Sequence, residues 1–361
     1  MKSIFTGIFL AMISLCFYVY CNKQAELPEV PVAQVNPVLS TQPVAHDTDD
    51  PAIWINYADP SKSLIIGTDK DVDGALYVYD LEGNILEDKV VHGLKRPNNV
   101  DVEYGLKLNN TQVDIAATTE RFENKLRIYS VPDMKAIDNG GISVFEGQNE
   151  RDPMGIALYK RPSDETIFAI VGRKTGPTNG TYLWQYRLED DGTGNVKATK
   201  VREFGLFSGK KEIEAIAVDD KLGYVYYSDE QVGVRQYYAD PDHPDAAKEL
   251  ALFFTSGFSG DHEGVCIYEV TDSTGYILVS DQQANEFHIF AREGTPEDPF
   301  KHNLVKIIKT ATNESDGCDA TNVAVNTSFP EGLFVAMSDN KTFQYYSWVT
   351  IAGSDLKSAQ E

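Results

Sequence analysis

The chain has 361 residues, and its 55 acidic side chains against 32 Lys and Arg give a formal charge of −23 at pH 7. This excess excludes nucleic acid and anionic membrane surfaces as partners, and it admits an anionic substrate only if bound metal ions reverse the local field. The hydrophobic content of 42%, with 19 Tyr and 17 Phe, is typical of a folded, strand-rich protein.

The N-terminus has the pattern of an export signal, because Lys2 precedes an uncharged apolar run over residues 4–20. A transmembrane anchor is the alternative, although the run is marginal in length. We therefore predict a secreted or periplasmic protein without an integral membrane domain, and we leave open a lipid anchor on Cys21. The predicted export signal, linker, folded domain and C-terminal tail are residues 1–21, 22–44, 45–350 and 351–361.

Six segments of the folded domain repeat one pattern: a hydrophobic strand, a polar cluster, and a second strand rich in Tyr or Phe. They begin at Leu64, Val113, Phe168, Gly223, Tyr276 and Leu333. Their spacing of roughly 50 to 57 residues is close to that of propeller blades. The sequence therefore predicts an all-β protein folded as a six-bladed β-propeller.

A further strand precedes each segment and opens on acidic or amide residues. The openings are Asp49-Asp50-Pro51, Asn98-Asn99-Val100-Asp101, Asp152-Pro153-Met154, Glu212-Ile213-Glu214, Asp261-His262-Glu263 and Asp316-Gly317-Cys318. The small residues that follow suit the crowded innermost strand of a blade. In an antiparallel pair, the start of one strand and the end of the next lie at the same end of the sheet. We therefore expect all twelve polar clusters on one face of the ring.

So many carboxylates on one face would repel each other unless cations lie among them. Several Ca²⁺ ions fit, since calcium accepts many oxygen ligands in irregular geometry. The predicted metal ligands are Asp49, Asp50, Asn99, Asp101, Glu214, Asp261, Glu263, Gln282, Asp316 and Asp339. A structural calcium ion held by Asp316 and Asp339 is an alternative to a catalytic one for that pair.

In each of the first three repeats a cation closes the polar cluster after the hydrophobic strand. These cations are Lys70, Arg121 and Lys174. Arg121 suits two phosphate oxygens at once, and the lysines suit phosphate as point charges. A metal-activated water could then attack phosphorus. The alternative is that these cations only balance nearby carboxylates.

Other site chemistries fit poorly. Cys266 and Cys318 lack the spacing of a zinc site, and a disulfide between them is left open. The stretch 92–97 is superficially similar to the histidine acid phosphatase signature, but Val91 stands where its first arginine belongs. The sequence also contains no P-loop.

Two motifs together, Asp49-Asp50-Pro51-Ala52-Ile53-Trp54 and Asn98-Asn99-Val100-Asp101-Val102, resemble the β-propeller phytases, as does the Glu82-Gly83 hairpin. The resemblance covers nearly the whole mature chain. It implies a calcium-dependent phosphomonoesterase of the 3-phytase type, which releases phosphate from calcium-bound phytate (inositol hexakisphosphate). We expect a monomer whose partner is this small-molecule substrate.

The resemblance also implies roles for individual residues. Lys70, Arg121 and Lys174 are expected to contact substrate phosphates. Calcium ligands or water-positioning groups are expected at Asp50, Asp101, Glu214, Glu230, Asp261, Glu263, Gln282 and Asp316. The predicted catalytic set is Lys70, Arg121, Lys174, Glu214 and Glu230.

The chain departs from the family pattern at three places. Met154 stands where the family usually has a phosphate-contacting tyrosine, and Thr175 where it tends to have a glutamate. The loop after Asp339 is shortened. Two alternatives therefore stay open: another calcium-dependent propeller hydrolase, such as a lactonase-like enzyme, and a non-catalytic binding propeller.

Overall fold

Strands are the main secondary structure in the part of the chain that the computed structural model describes, residues 30–359. They pair into six separate sheets. In each sheet the three innermost strands are consecutive in the chain. The prediction of an all-β, six-bladed propeller is confirmed. The predicted export signal and residues 22–29 lie outside the described residues.

Two short strands come first, and the blades follow in chain order. The opening strands are β1 (Val32–Gln34) and β2 (Leu39–Ser40). Blade 1 contains β3 (Thr48–Trp54), β4 (Leu64–Asp69), β5 (Gly74–Tyr79) and β6 (Val91–Leu94). Blade 2 contains β7 (Pro97–Leu108), β8 (Thr111–Glu120), β9 (Lys125–Val131), β10 (Lys135–Ala136) and β11 (Ile142–Ser143). Blade 3 contains β12 (Pro153–Lys160), β13 (Ile167–Arg173), β14 (Leu183–Asp190) and β15 (Val196–Phe204).

The second half of the ring has the same plan. Blade 4 contains β16 (Ile216–Asp219), β17 (Tyr224–Asp229), β18 (Gly233–Tyr238) and β19 (Ala251–Phe253). Blade 5 contains β20 (Val265–Glu269), β21 (Gly275–Asp281), β22 (Glu286–Ala291) and β23 (Leu304–Lys309). Blade 6 contains β24 (Cys318–Thr321), β25 (Leu333–Ser338) and β26 (Thr342–Ser347). The helical elements are an α-helix, α1 (Trp348–Ala352), and four 3₁₀ turns, Pro60–Lys62, Glu87–Lys89, Arg121–Glu123 and Gln282–Ala284.

The N-terminal strands complete the last two blades. Strand β2 pairs antiparallel with β26, and β1 pairs parallel with β23. The predicted linker 22–44 is therefore wrong at residues 32–34 and 39–40, which form strands on the outer edges of blades 5 and 6. The predicted tail also begins too early, since Ile351 and Leu356 are buried in the apolar core with Trp348.

The core lies between adjacent blades, because both faces of each sheet are covered. Ile65 and Ile66 are successive residues of β4 and are both fully buried. Ile65 packs in a cluster shared with blade 6, and Ile66 in one shared with blade 2. Side chains alternate between the faces of a strand, so a sheet covered on both sides needs an unbroken apolar run. This explains the hydrophobic strand in each repeat.

Small residues allow the inner strands to converge on the axis. A Cβ atom at Gly155 would lie 2.0 Å from the Glu214 carbonyl oxygen, and one at Gly264 would lie 2.4 Å from that of Asp316. Real side chains cannot approach a neighbouring backbone so closely. Glycine at the head of these strands therefore brings the polar openings of different blades together.

Candidate active site and axial cavity

Residues from four blades meet around the ammonium group of Lys70. Lys70 Nζ is in direct contact with Asp49 Oδ1 and lies 3.6 Å from Asp316 Oδ2. Asn98 Nδ2 donates to Asp49 Oδ2 at 3.1 Å and to Glu214 Oε1 at 2.7 Å. We call these five residues the Lys70 cluster. Asp49 and Asn98 belong to the inner strands of blades 1 and 2. Glu214 and Asp316 lie just before the inner strands of blades 4 and 6.

The pKa values in this cluster follow from its mixed charges. Burial lowers the pKa of Lys70, but Asp49, Glu214 and Asp316 outweigh it and raise the pKa above the usual value. Burial likewise raises the pKa of Glu214, but Lys70 and Arg121 outweigh it and leave the pKa below the usual value. Lys70 and Glu214 are therefore both charged at neutral pH, and each favours the ionised form of the other.

A second cluster surrounds Lys211, which the sequence argument missed. Lys211 Nζ lies 2.9 Å from Glu230 Oε2, 2.7 Å from Asp261 Oδ2 and 3.3 Å from Glu263 Oε1. We call these four residues the Lys211 cluster. The sequence does contain one signal for Lys211, because it lies three residues before Glu214, which opens an inner strand.

The two clusters are continuous. One carboxylate oxygen each of Glu212, Glu214 and Glu230 lies within 4.8 Å of the others. Burial raises the pKa of Glu263 well above its usual value, and the neighbouring Glu214 and Glu230 add to the shift. Burial also raises the pKa of Glu230 to about 7. This region therefore carries more carboxylates than Lys211 alone can neutralise.

The other two predicted cations lie beside this surface. Arg121 is only 5% exposed, its Nε has no hydrogen-bond partner, and burial lowers its pKa. Lys174 is more open, with 46% of its side chain exposed, and its Nζ lies 2.8 Å from Glu212 Oε1. Arg121 is thus a guanidinium group with unused donor capacity, whereas Lys174 is a partly exposed cation at the margin.

The structure places Asp50, Asn99 and Asp101 elsewhere, in an axial cavity of about 290 Å³ lined by all six inner strands. Asp319 lines the same cavity. Asp49 and Asp50 are neighbours in β3 and face different sites, as adjacent side chains of a strand do. The expectation of a single shared cluster therefore does not hold for these three residues.

Three axial carboxylates each bond to the backbone of the next blade. Asp50 Oδ2 accepts a hydrogen bond from the N–H of Val100 at 3.0 Å, and Asp101 Oδ2 accepts one from Leu158 at 2.6 Å. Asp319 Oδ2 accepts one from the N–H of Ile53 at 2.8 Å, so the pattern continues across the closure of the ring. These carboxylates satisfy N–H groups on the free edges of inner strands, which would otherwise lack partners.

Desolvation in the cavity raises the pKa of the axial carboxyls. The pKa of Asp101 is raised to about 8, and that of Asp319 to about 7. The pKa of Asp50 is also raised well above its usual value. Asp101 therefore retains its proton at neutral pH unless a cation enters the cavity, and Asp319 is about half protonated there.

The remaining predicted residues are more scattered. Gln282 Nε2 donates to Asp316 Oδ1, which joins blade 5 to the Lys70 cluster. Asp339 is exposed, and its nearest bond partner, Asn313 Nδ2, lies 3.5 Å from its Oδ2. Met154, at the position of the expected tyrosine, is buried. Within the described residues, Asp339 therefore has no hydrogen bond to another predicted ligand.

Comparison with known proteins decides the family. A model of the Phytase family matches residues 3–349. The chain belongs to the Phytase family. It is similar to the 3-phytase of Bacillus subtilis (strain 168), with 28% identity over 349 residues that cover 92% of this chain and 87% of the relative.

Two further findings concern this phytase-family protein. Cys266 and Cys318 are buried free thiols, so the disulfide left open above is not formed. The described part of the chain holds no helix with the length and hydrophobicity that a membrane crossing requires.

Proposed function

We propose that this protein hydrolyses phosphomonoester bonds of phytate and releases inorganic phosphate in a calcium-dependent reaction. Membership of the Phytase family supports the reaction class, and the similarity to a 3-phytase supports the substrate. The observation that carries the proposal is the continuous carboxylate surface of the two clusters, with Arg121 and Lys174 beside it. Such a surface binds a polyanion only when cations accompany the substrate.

The donor atoms of this surface fit calcium. Glu263 Oε2 and Asn98 Oδ1 are buried and have no hydrogen-bond partner in the described structure. Carboxylate and amide oxygens are the ligands that Ca²⁺ takes, six to eight at a time. Glu230, Asp261 and Glu263 would hold one ion where Lys211 Nζ now lies, and Asp49, Glu214 and Asp316 would hold another. In our proposal Asp50, Asn99 and Asp101 remain ligands of an axial ion.

When bound, calcium would supply positive charge against the phosphate oxygens and acidify water near phosphorus. The chain's own residues do the rest. Arg121 donates to two oxygens of one phosphate, and Lys70 and Lys174 contribute point charges. Glu214 and Glu230 orient the attacking water. Its oxygen forms the new bond to phosphorus, the bond to the inositol oxygen breaks, and the water proton passes through a carboxylate to that oxygen.

Further parts of the proposal rest on the resemblance and on the N-terminal sequence. We propose initial attack at the 3-phosphate, a monomeric enzyme, and export directed by residues 1–21. Thr175 departs from the family pattern, and the exposed Asp339 makes no hydrogen bond to either cluster among the described residues. We therefore assign them no role in cleavage.

The deciding experiment is a phosphate-release assay on phytate with the full chain over a series of free calcium concentrations. We expect turnover that rises with calcium and stops in excess chelator. A lactonase-like enzyme would instead hydrolyse lactones, and a binding propeller would retain phytate without turnover. Neither His262 nor His288 lines the axial cavity, so the His pair of a lactonase-like site is not found there. Full phosphate release in excess chelator would refute the calcium requirement.

A further inference from the structure

The hairpin between β21 and β22 places three metal-ligating side chains on one face of blade 5. Asp281 and Glu286 are directly paired across the hairpin, on either side of the Gln282–Ala284 turn. His288 follows Glu286 by two residues in β22, so it lies on the same face of the sheet. One ligand atom of each residue lies within 4.8 Å of the other two.

His288 points into this cluster without a partner. Its side chain is 3% exposed, and neither ring nitrogen has a hydrogen-bond partner. Its Nε2 lies 3.8 Å from Asp281 Oδ2 and 3.7 Å from Glu286 Oε2, which is too long for hydrogen bonds. Burial lowers the pKa of His288 to about 4, so the ring is neutral at pH 7 and has a free lone pair.

Two other buried histidines can be compared with His288. His262 also has no partner for either ring nitrogen, but its ring packs against Phe254 and Phe258. His302 is 7% exposed, and both of its ring nitrogens are bonded. Its Nδ1 lies 2.9 Å from the Ala291 carbonyl oxygen, and its Nε2 lies 3.1 Å from Gln236 Oε1. Buried polar groups are normally satisfied in this way, because an unsatisfied one costs free energy. The lone pair of His288 therefore points to a ligand.

Neighbouring groups hold the cluster in place, and one of its three side chains is partly exposed to solvent. Both carboxylate oxygens of Asp281 accept from the N–H of Ser259, at 3.0 and 2.8 Å. The ring of Phe254, from blade 4, lies 4.5 Å from the His288 ring, centroid to centroid. The Glu286 side chain is 20% exposed and connects the cluster to solvent. Such bonds from outside orient ligands and are typical of metal sites.

We propose that Asp281, Glu286 and His288 bind a divalent transition-metal ion such as Zn²⁺. The imidazole nitrogen favours zinc over calcium, which prefers oxygen ligands only. Two ligand atoms 3.7 Å apart, as in Glu286 and His288, can both lie about 2.1 Å from one ion. The ion would join β21 to β22 at the turn that carries Gln282. Its role is structural, and it goes beyond the calcium-dependent reaction proposed above.

The test is a calorimetric Zn²⁺ titration of the full chain in excess Ca²⁺, which keeps the oxygen-only clusters occupied. We expect one zinc equivalent to bind and to raise the melting temperature. Glu286→Gln keeps the side-chain shape and should weaken zinc binding at least about tenfold, and His288→Gln should weaken it further. The matched control is Glu297→Gln in an exposed loop, which should bind zinc like the wild type.

Two outcomes would overturn the proposal: no zinc bound by the wild type, or equal affinity in the wild type and both ligand variants. A Co²⁺ titration followed by visible absorption provides a second measurement, since a nitrogen ligand changes the spectrum. Glu230→Gln should keep its zinc affinity even if it loses phosphate release. A failure of the calcium proposal is therefore distinguishable from a failure of the zinc site.

Discussion

The two carboxylate regions of the ring differ in what neutralises them. In the Lys70 and Lys211 clusters the partners are ammonium groups on long side chains. In the axial cavity the partners of Asp50, Asp101 and Asp319 are backbone N–H groups of the neighbouring blade. A lysine side chain can swing away when another cation or a phosphate arrives, whereas a backbone N–H cannot. The first region is therefore suited to exchange and turnover, and the second to holding blades together.

Chelation of calcium should have the largest effect, because our proposal places calcium ions in both regions. We expect phosphate release to fall to background and the melting temperature to drop, since an ion bound only to the native state stabilises it. The stabilisation is about 2.7 kcal/mol per site when free calcium is 100 times its Kd. Activity and thermal unfolding should be measured in chelator and again after calcium is restored. Unchanged unfolding in chelator would show that no calcium ion stabilises the native state.

Arg121→Ala should have the second-largest effect. We expect it to lower kcat/KM on phytate by about a hundredfold to a thousandfold. The reason is that a buried guanidinium with an unused Nε–H is placed to receive the charge of the transition state. Little stability should be lost, because burial already disfavours the charge of Arg121. Steady-state kinetics and thermal unfolding check both parts. Arg187→Ala, on the outer part of blade 3, is the control, and wild-type kinetics in Arg121→Ala would remove this residue from the site.

The pH dependence of stability should distinguish the axial region from the two lysine clusters. Desolvation raises the pKa of Asp101 from 3.8 to about 8, so the native state binds its proton more tightly than the unfolded state between these values. Metal-free protein should therefore lose stability as pH rises, by about 2 kcal/mol between pH 6 and pH 8. Urea unfolding in chelator measures this loss.

Asp101→Asn should flatten the pH dependence of the metal-free protein. It should also cost about 1 kcal/mol at low pH, since Asn offers one acceptor oxygen and Asp101 accepts from both Val102 and Leu158. A variant that keeps the full wild-type slope would show that Asp101 does not cause it.

The smallest effect is expected for Lys211→Met. Lys211 is partly exposed, and its ammonium group lies where the proposed calcium ion would bind. Removing it should lower the calcium concentration needed for half-maximal activity severalfold, with a modest loss of metal-free stability. Lys210→Met, next to it in the chain, is the control. A higher calcium requirement in Lys211→Met would mean that this lysine assists metal binding instead of competing with it.

The fold was predictable from sequence because its main signal is physical and repeated. Sheets buried on both faces require apolar runs such as the one containing Ile65 and Ile66, and the polar openings mark where inner strands begin. The short strands β1 and β2 carry no such signal. They join the ring through backbone hydrogen bonds at blade edges, which any non-proline residue can make.

The site was predictable only in part. Asp49, Lys70 and Glu214 lie together on the expected surface. Asp49 and Asp50 face different sites because side chains alternate along β3, and the sequence does not indicate which of the two faces the axis. Lys211 was missed because it lies in a loop, where position depends on contacts between blades. Sequence thus identifies which residues begin inner strands, but not the direction in which each side chain points.

The pairing of β2 with β26 bears on where the folded ring opens. Leu39 and Tyr345 are far apart in the chain, so this pairing closes a very long loop. Contacts between such distant residues are slow to make. We expect this seam, where the first-made and last-made strands meet, to be the place at which the ring opens under heat or mechanical load.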